Sequence, residues 1–528
     1  MRINFKIWLA VALFLPIPTF SAESSCKPNI IIIYGDDVGY GDLPCYGGSR
    51  LQTPNVDRLA HNGLRFVNGY ATSATCTPSR FSILTGEYAF RQKGSGVLPG
   101  DAALLIPPGS LTTPAILQRA GYTTAAIGKW HLGIGAKAGA QDWNGELKPG
   151  PLEVGFDHCF IIPATPDRVP CVYVQDHHVF NLNPSDPIQV SYRGPLPDEV
   201  TYQTIDPAKL KMTSGDRGHR DAVINGIGRI GYMTGGKSAL WKDDDIEEVL
   251  AKQAVSFIEK EKEHPFFLYY ASHDIHVPRV PNERFVGQTG MGPRGDELAE
   301  FDWAVGQILS TLDRLRLTDN TLVILSSDNG PVLNDGYEDN AKQKLGGHKP
   351  AGNLRAGKYS IFDGGTRVPF IVCWPGRVQP GVSKALVSQV DLAASFAALT
   401  GQKLGPDDAP DSQNELPALL GQTSTGRDSL VEYTQTGSAK RALRAGDWKY
   451  VLPGQTVDGL GPHTQVKIPA PGFLFDLAND PGEKTNLAGA YPGKTAIFSN
   501  QLSKLASQFP HRPNAASAVT NNVDNGDD

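Results

Sequence analysis

The run Asn29 to Tyr34 reads NIIIIY and stops at Gly35. Six residues dominated by β-branched side chains, with no polar alternation, predict a strand buried on both faces, as in a sheet covered by helices. Similar runs recur at Thr123 to Ile127, Pro265 to Ala271, Leu322 to Ser327 and Pro369 to Trp374. Helical periodicity lies between them. Ile246, Val249, Leu250, Ala254, Phe257 and Ile258 follow the acids Asp243 to Asp245, and Leu298, Phe301, Val305, Ile308, Leu312 and Leu315 repeat the spacing. Alternating strands and helices predict an α/β domain with a mainly parallel sheet.

The pattern changes after Asp391 to Thr400, which reads as that domain's last helix. Gly401 to Gln413, rich in Gly, Pro and Asp, reads as a linker. Beyond it come Ser429 to Tyr433, Arg441 to Val451 and Phe473 to Leu477, then a helix from about Lys494 to Phe509. These predict a smaller α+β domain with an antiparallel sheet. The expected division is a catalytic domain over 23–400, a C-terminal domain over 401–509 and a disordered polar tail over 510–528. No internal repeat is found.

Residues 1–22 are expected to be a signal peptide. Arg2 and Lys6 precede the apolar run Ile7 to Leu15, Pro16 and Pro18 break it, and Ser21-Ala22 offers small residues for cleavage. The run is short for a membrane span, so a secreted or periplasmic protein, free of the membrane after cleavage, is expected. A buried N-terminal helix is the alternative. The formal charge of −6, from 49 basic and 55 acidic residues, and the lack of a basic run argue against nucleic acid as a partner. An anionic substrate then needs a local basic pocket. Six cysteines in 528 residues are too few for a disulfide framework. Cys159 and Cys171 flank a short loop and stand either as a bridge or as two thiols. Cys26, Cys45 and Cys373 read as packing residues.

Polar residues gather where the strands end. Asp36 and Asp37 follow the first strand, Lys129 and His131 the Thr123 strand, His276 the Pro265 strand, and Asp328 and Asn329 the Leu322 strand. Ligands of a parallel α/β sheet bind beyond the carboxyl ends of its strands. Asp36, Asp37, Asp328 and Asn329 offer oxygen ligands that suit Ca²⁺ or Mg²⁺ better than zinc. The plainer alternative is that each acidic pair forms a turn or a helix cap.

Ala74 to Gly86 reads ATCTPSRFSILTG. Its Cys-x-Pro-Ser-Arg core followed by Thr85-Gly86 resembles the signature of the type I sulfatases, whose cysteine is oxidised after translation to formylglycine. Gly121 to His131 (GYTTAAIGKWH) resembles the second signature of that family. His276-Val277-Pro278, Ser327 to Gly330, Gly357-Lys358 and Gly364 to Pro369 follow in matching order. The resemblance covers about residues 28 to 400, and Leu474 to Ala488 resembles a piece of the smaller domain of that family. It implies an alkaline-phosphatase-like large domain and a sulfate ester hydrolase. It further implies that Asp36, Asp37, Asp328 and Asn329 hold one calcium ion beside the modified Cys76, and that Arg80 stabilises the formylglycine. Lys129, His131, His276 and Lys358 would surround the sulfate, and Thr165 stands where many relatives place a serine. A formylglycine-generating maturation enzyme would be a partner.

The chemistry fits that set. A serine attacking sulfur would leave a stable ester, whereas a hydrated aldehyde attacks with one hydroxyl and releases sulfate by deprotonating the other. His276 or Lys358 would protonate the leaving oxygen, and His131 would accept the second proton. Gly155 to Val179 resembles bacterial sulfatases acting on carbohydrates, which puts Arg168, His177 and His178 forward as sugar contacts and a sulfated polysaccharide, such as a carrageenan-like galactan, as the substrate. An ordinary surface loop is the alternative for that segment. Two other functions remain open: a phosphatase or phosphodiesterase on a related fold, and an inactive protein that binds sulfated glycans.

Overall fold

The computed structural model describes residues 27–48, 50–434, 441–458 and 465–507. The expected signal peptide, Cys26 and the polar tail lie outside the described residues. Ile30, Ile31, Ile32 and Ile33 are fully buried in the strand Asn29–Gly35. Withdrawing an aliphatic side chain of that size from water stabilises the fold by roughly 1.5–3 kcal/mol. This strand lies near the middle of a ten-stranded sheet. From one edge the order is Gly381–Ser388, Leu64–Tyr70, Phe370–Cys373, Thr321–Ser327, Asn29–Gly35, Phe266–Ala271, Thr123–Lys129, His158–Ile162, Val174–Gln175 and His178–Val179.

The five strands from Thr321–Ser327 to His158–Ile162 run parallel. Phe370–Cys373 is antiparallel to both of its neighbours, and the last two strands form a hairpin at the far edge. Leu64–Tyr70, whose sequence alternates less regularly, becomes a strand because Phe370–Cys373 and Gly381–Ser388 pair with it from either side. Two groups of helices accompany the sheet. Pro54–Asn62, Ile246–Glu261 and Pro293–Leu315 pack together, as do Cys76–Thr85, Thr113–Arg119 and Leu392–Thr400.

Ser429–Tyr433, Arg441–Ala445, Trp448–Val451 and Phe473–Asp476 form a four-stranded antiparallel sheet, followed by the helix Pro492–Ser507. The expected piece Arg441 to Val451 is thus a hairpin turning at Gly446. Leu430, Val431, Leu443, Tyr450 and Leu474 of this sheet join the same apolar core as the central isoleucines. A buried ionic cluster adds to the junction. Lys449 lies between Asp363 and Glu432, each at 2.9 Å, with Glu483 at 3.3 Å.

Cys159 and Cys171 are free thiols. Their sulfurs face different backbone carbonyls: Cys159 that of Asp176 at 3.4 Å, and Cys171 that of Arg168 at 3.8 Å. Between residues 163 and 242 the chain forms short strands, turns and one 3-10 helix, Pro207–Lys209.

Candidate active site

Four adjacent parallel strands bring the expected residues to one rim. Asp36 and Asp37 leave Asn29–Gly35, Asp328 and Asn329 leave the neighbouring Thr321–Ser327, Lys129 ends Thr123–Lys129, and His276 follows Phe266–Ala271. The rim is fixed by backbone bonds. Asp328 N–H donates to Gly35 O at 3.1 Å, and Asp36 N–H donates to Asp274 O at 2.9 Å.

Cys76 opens the helix Cys76–Thr85, all of whose residues are buried. The first turn of a helix presents free N–H groups and the positive end of its dipole, which favours an anion at this end. Gly86 ends the helix with φ 66°, and a Cβ there would come within 2.6 Å of the Ala409 side chain. The loop before Cys76 is tied to the C-terminal sheet. Ala74 N–H donates to Tyr433 O at 2.9 Å, and Ser73 and Thr75 hydroxyls donate to Thr434 O at 2.7 and 2.8 Å. The smaller sheet therefore braces the Cys76 loop. Burial first, and the nearby acids Asp328 and Asp36 after it, push the Cys76 thiol up despite Lys129 and Lys358. A bare thiol here stays protonated and is a poor nucleophile.

Each rim carboxylate has its own cation. Lys129 Nζ contacts Asp36, Lys358 Nζ donates to Asp37 at 2.9 Å, and Arg80 donates to Asp328. Asn329 Nδ2 donates to Asp37 Oδ1 at 2.6 Å. Two buried oxygens, Asp36 Oδ1 and Asn329 Oδ1, have no hydrogen-bond partner. Ligand atoms of Asp36, Asp37 and His276 lie within 4.8 Å of one another. Orphaned oxygens among hard donors fit a cation such as calcium. Burial, then Asp328, pushes Asp36 up to about 8, which shows how unfavourable its charge is without a further positive group.

The histidines differ in the nitrogen they leave free. His131 Nε2 pairs with Leu98 O at 2.9 Å, so that nitrogen carries the proton and Nδ1, which is buried without a partner, keeps its lone pair. His276 Nδ1 pairs with Val277 O at 2.7 Å, leaving Nε2 as its acceptor. Burial, followed by Lys129, holds both rings well below the ordinary histidine range, so both are neutral. Burial opposes the charge of Lys358, but Asp335 and Asp37 outweigh it and raise its pKa.

Three contributors are not evident in the sequence. Asp335 accepts from Lys358 Nζ at 2.9 Å and from the hydroxyl of Tyr359, a residue 38% exposed, at 3.0 Å. Asp167 is buried beside Arg168, whose Nη1 donates to Asp167 Oδ1 at 2.9 Å and to Thr165 Oγ1 at 2.7 Å. Arg168 lies within electrostatic range of Cys76, and Asp167 within that of His276. His219 lies between Asp167 at 3.1 Å and Asp216 at 2.8 Å. His177 and His178 are placed apart from this group, on the hairpin at the sheet edge. His177 pairs with Glu153 at 3.0 Å, and no hydrogen bond or ion pair among the described residues joins either histidine to Arg168 or Cys76.

The parallel sheet gathers acids, lysines and histidines at one rim, and the chain belongs to the sulfatase family, whose model matches residues 28–402. It is 48% identical to the N-acetylgalactosamine-6-O-sulfatase of Bacteroides thetaiotaomicron over 92% of this chain and 94% of that protein. Human arylsulfatase A is 32% identical over 90% of this chain and 87% of its own length. A solved structure concerned with the metabolism of multiple glycosaminoglycans by B. thetaiotaomicron is 47% identical and superposes with a TM-score of 0.87, covering 92% of this chain and all of that one, 100%. The protein is thus an enzyme, a sulfuric ester hydrolase. No described helix is long and apolar enough to cross a membrane.

Proposed function

We propose that the chain is an exported carbohydrate sulfatase that removes the 6-O-sulfate of a galactose-configured amino sugar, with Cys76 matured to formylglycine and calcium bound by Asp36, Asp37, Asp328 and Asn329. The charge of the rim carries this reading. With Asp36 ionised, as a bound cation would keep it, Asp36, Asp37, Asp328 and Asp335 face Arg80, Lys129 and Lys358, a balance of one negative charge before the cation's own is counted. A divalent cation turns that into one positive charge, which a singly charged sulfate ester cancels. A phosphate monoester, with a second charge at neutral pH, would leave a surplus.

The formylglycine hydrate would supply a geminal diol, one hydroxyl to attack sulfur and the other to release sulfate as it loses its proton. Calcium would supply positive charge to the sulfate oxygens. The residues of this chain do the rest. Lys129 and Lys358 hold the anion, and a proton of Lys358 not engaged by Asp37 or Asp335 is available to the leaving oxygen. His276 donates its Nδ1–H to Val277 O, so in this tautomer Nε2 accepts or orients rather than donates. His131 Nδ1 is a free acceptor for the proton of the second hydroxyl. Arg80 acts through Asp328, to which it is committed, and Arg168, within electrostatic range of Cys76, would contact the sugar.

The amino sugar replaces the carrageenan-like galactan as the preferred substrate because the 48%-identical relative, spanning 94% of its own length, is an N-acetylgalactosamine-6-O-sulfatase. A maturation enzyme and secretion to the periplasm or beyond complete the proposal. Sulfate release should be measured on defined 6-O- and 4-O-sulfated N-acetylgalactosamine saccharides and on 6-O-sulfated N-acetylglucosamine. Release from the first far above the others is expected. Release from a different sugar or position, with none from the first, would overturn the substrate. Saturable binding of all three by matured protein without any release would favour the inactive binder.

A further inference from the structure

A second set of metal-type donors lies one turn away from the catalytic rim. The strand Phe266–Ala271 is followed by Ser272-His273-Asp274-Ile275-His276. His276 serves the rim, whereas His273 and Asp274 meet Glu247 from the first turn of Ile246–Glu261. All three are buried, at 4%, 0% and 1% exposure. His273 Nε2 is 3.4 Å from Asp274 Oδ1 and 3.8 Å from Glu247 Oε2, and the three ligand atoms lie within 4.8 Å of one another.

Both oxygens of Asp274 and Oε2 of Glu247 have no hydrogen-bond partner, and neither do Oε2 of Glu297 and Oε1 of Glu300 on the helix Pro293–Leu315. Glu247 Oε1 accepts from the Tyr270 hydroxyl at 2.5 Å. The largest charge influences on Asp274 come from Glu247, Glu300, Glu297 and Asp36, all acidic, while Lys129 acts on the adjoining His273. The neighbouring arginines serve the outer glutamates: Arg279, paired with Asp339, also offsets Glu297, and Arg284, 3.2 Å from Glu248 and over the Trp303 ring, also offsets Glu300. Asp274 alone of these accepts no hydrogen bond on either oxygen, and a buried carboxylate left so is costly by several kcal/mol, so a proton or a cation must neutralise it.

Donor spacing and type decide between those two. An ion with bonds near 2.0–2.2 Å in tetrahedral coordination separates its ligands by about 3.4 Å. Carboxylates sharing protons would instead approach one another to hydrogen-bond distance, and Asp274 makes no such bond. An imidazole nitrogen between two carboxylates suits zinc or manganese better than calcium, which prefers six to eight oxygens. We propose that Glu247, His273 and Asp274 form a second cation site, distinct from the Asp36 cluster, that takes a divalent transition ion of the zinc type. Its effect on the enzyme is positional. Asp274 O accepts the Asp36 N–H at 2.9 Å, Asp36 O accepts the Ile275 N–H at 2.8 Å, and His273 O accepts the His276 N–H at 2.9 Å. An ion here fixes the backbone that aims Asp36 and His276.

The test uses the full chain stripped by chelation and then held in excess calcium. Zinc alone is titrated and followed by calorimetry and by melting temperature. One equivalent of zinc beyond the calcium, with a rise in melting temperature, is expected. Glu247→Gln, which keeps the size of the side chain, should weaken zinc binding more than about ten-fold and leave calcium content unchanged. Equal zinc affinity in wild type and Glu247→Gln, or no response to zinc in wild type, would overturn the site. Should Glu247→Gln fail to fold, an anomalous map of zinc-soaked wild-type crystals decides. A peak between Glu247, His273 and Asp274 supports the site, and zinc confined to the Asp36 cluster, or absent, refutes it.

Discussion

Arg80 donates twice to a single oxygen of Asp328, from Nε at 3.0 Å and Nη2 at 2.8 Å, and both side chains are fully buried. The third interaction of the guanidinium, to Lys129 O at 3.0 Å, joins the Cys76 helix to two strand ends. Arg80→Ala strips Asp328 of its counter-charge in a dry site and should cost about 3–5 kcal/mol in chemical denaturation. Arg58→Ala removes an equally short pair to Asp313, 2.7 Å, with both side chains more than 40% exposed, at 43% and 44%. That change should stay below about 1 kcal/mol. Similar losses for the two variants would contradict the assignment.

Lys449 gives the junction of the two sheets a comparable dependence. Lys449→Ala leaves Asp363, Glu432 and Glu483 buried together without their cation, and should lower stability by about 3–5 kcal/mol at neutral pH. Because Glu432 neighbours the Tyr433 and Thr434 carbonyls that hold the Cys76 loop, turnover should fall with it. Unfolding curves and turnover by the same preparation check both effects.

Titration should reveal His219. Burial pulls its pKa down, but hydrogen bonds to Asp167 and Asp216 win and raise it to about 9. A histidine raised above its unfolded value of about 6.5 stabilises the fold fully below that pH, and loses the contribution as pH climbs through its folded value. The stability gap between wild type and His219→Gln should therefore be about 3 kcal/mol near pH 6 and close progressively toward pH 9 and above. A gap that widens with rising pH would refute the imidazolium.

Much of the site was legible in the chain because it is local to the strand ends. The NIIIIY run fixed where Asp36 and Asp37 stand, and the same logic placed Asp328, Asn329, Lys129 and His276. Periodicity says which face is buried, and topology says which strand ends are neighbours. The residues that escaped reach the site through irregular chain. Asp167 and His219 come together only because the stretch after His158–Ile162 folds back through isolated bridges such as Arg168 to Ile230. Asp335 is positioned by Lys358 and Tyr359, which no spacing rule connects to it. His177 and His178 follow Arg168 closely in sequence but stand on a separate hairpin in space.

That separation makes a prediction about substrate recognition. Arg168→Ala should reduce kcat/KM for a sulfated oligosaccharide about ten-fold or more while affecting an aryl sulfate less, since contacts to the sugar orient the scissile ester. His177→Ala and His178→Ala should change neither. Equal losses on both substrates in Arg168→Ala would assign that residue to the sulfate pocket in place of the sugar.

The state of Cys76 decides the mechanism, because its buried thiol is held protonated and is unsuited to attack by itself. Preparations made with and without a formylglycine-generating enzyme should be digested, and the fraction of the Cys76 peptide carrying the aldehyde measured by mass spectrometry beside kcat on an aryl sulfate. Turnover is predicted to rise in proportion to that fraction and to vanish with it, and a folded Cys76→Ala protein should be inactive. Full turnover by protein whose Cys76 remains a thiol, or by Cys76→Ala, would contradict the mechanism.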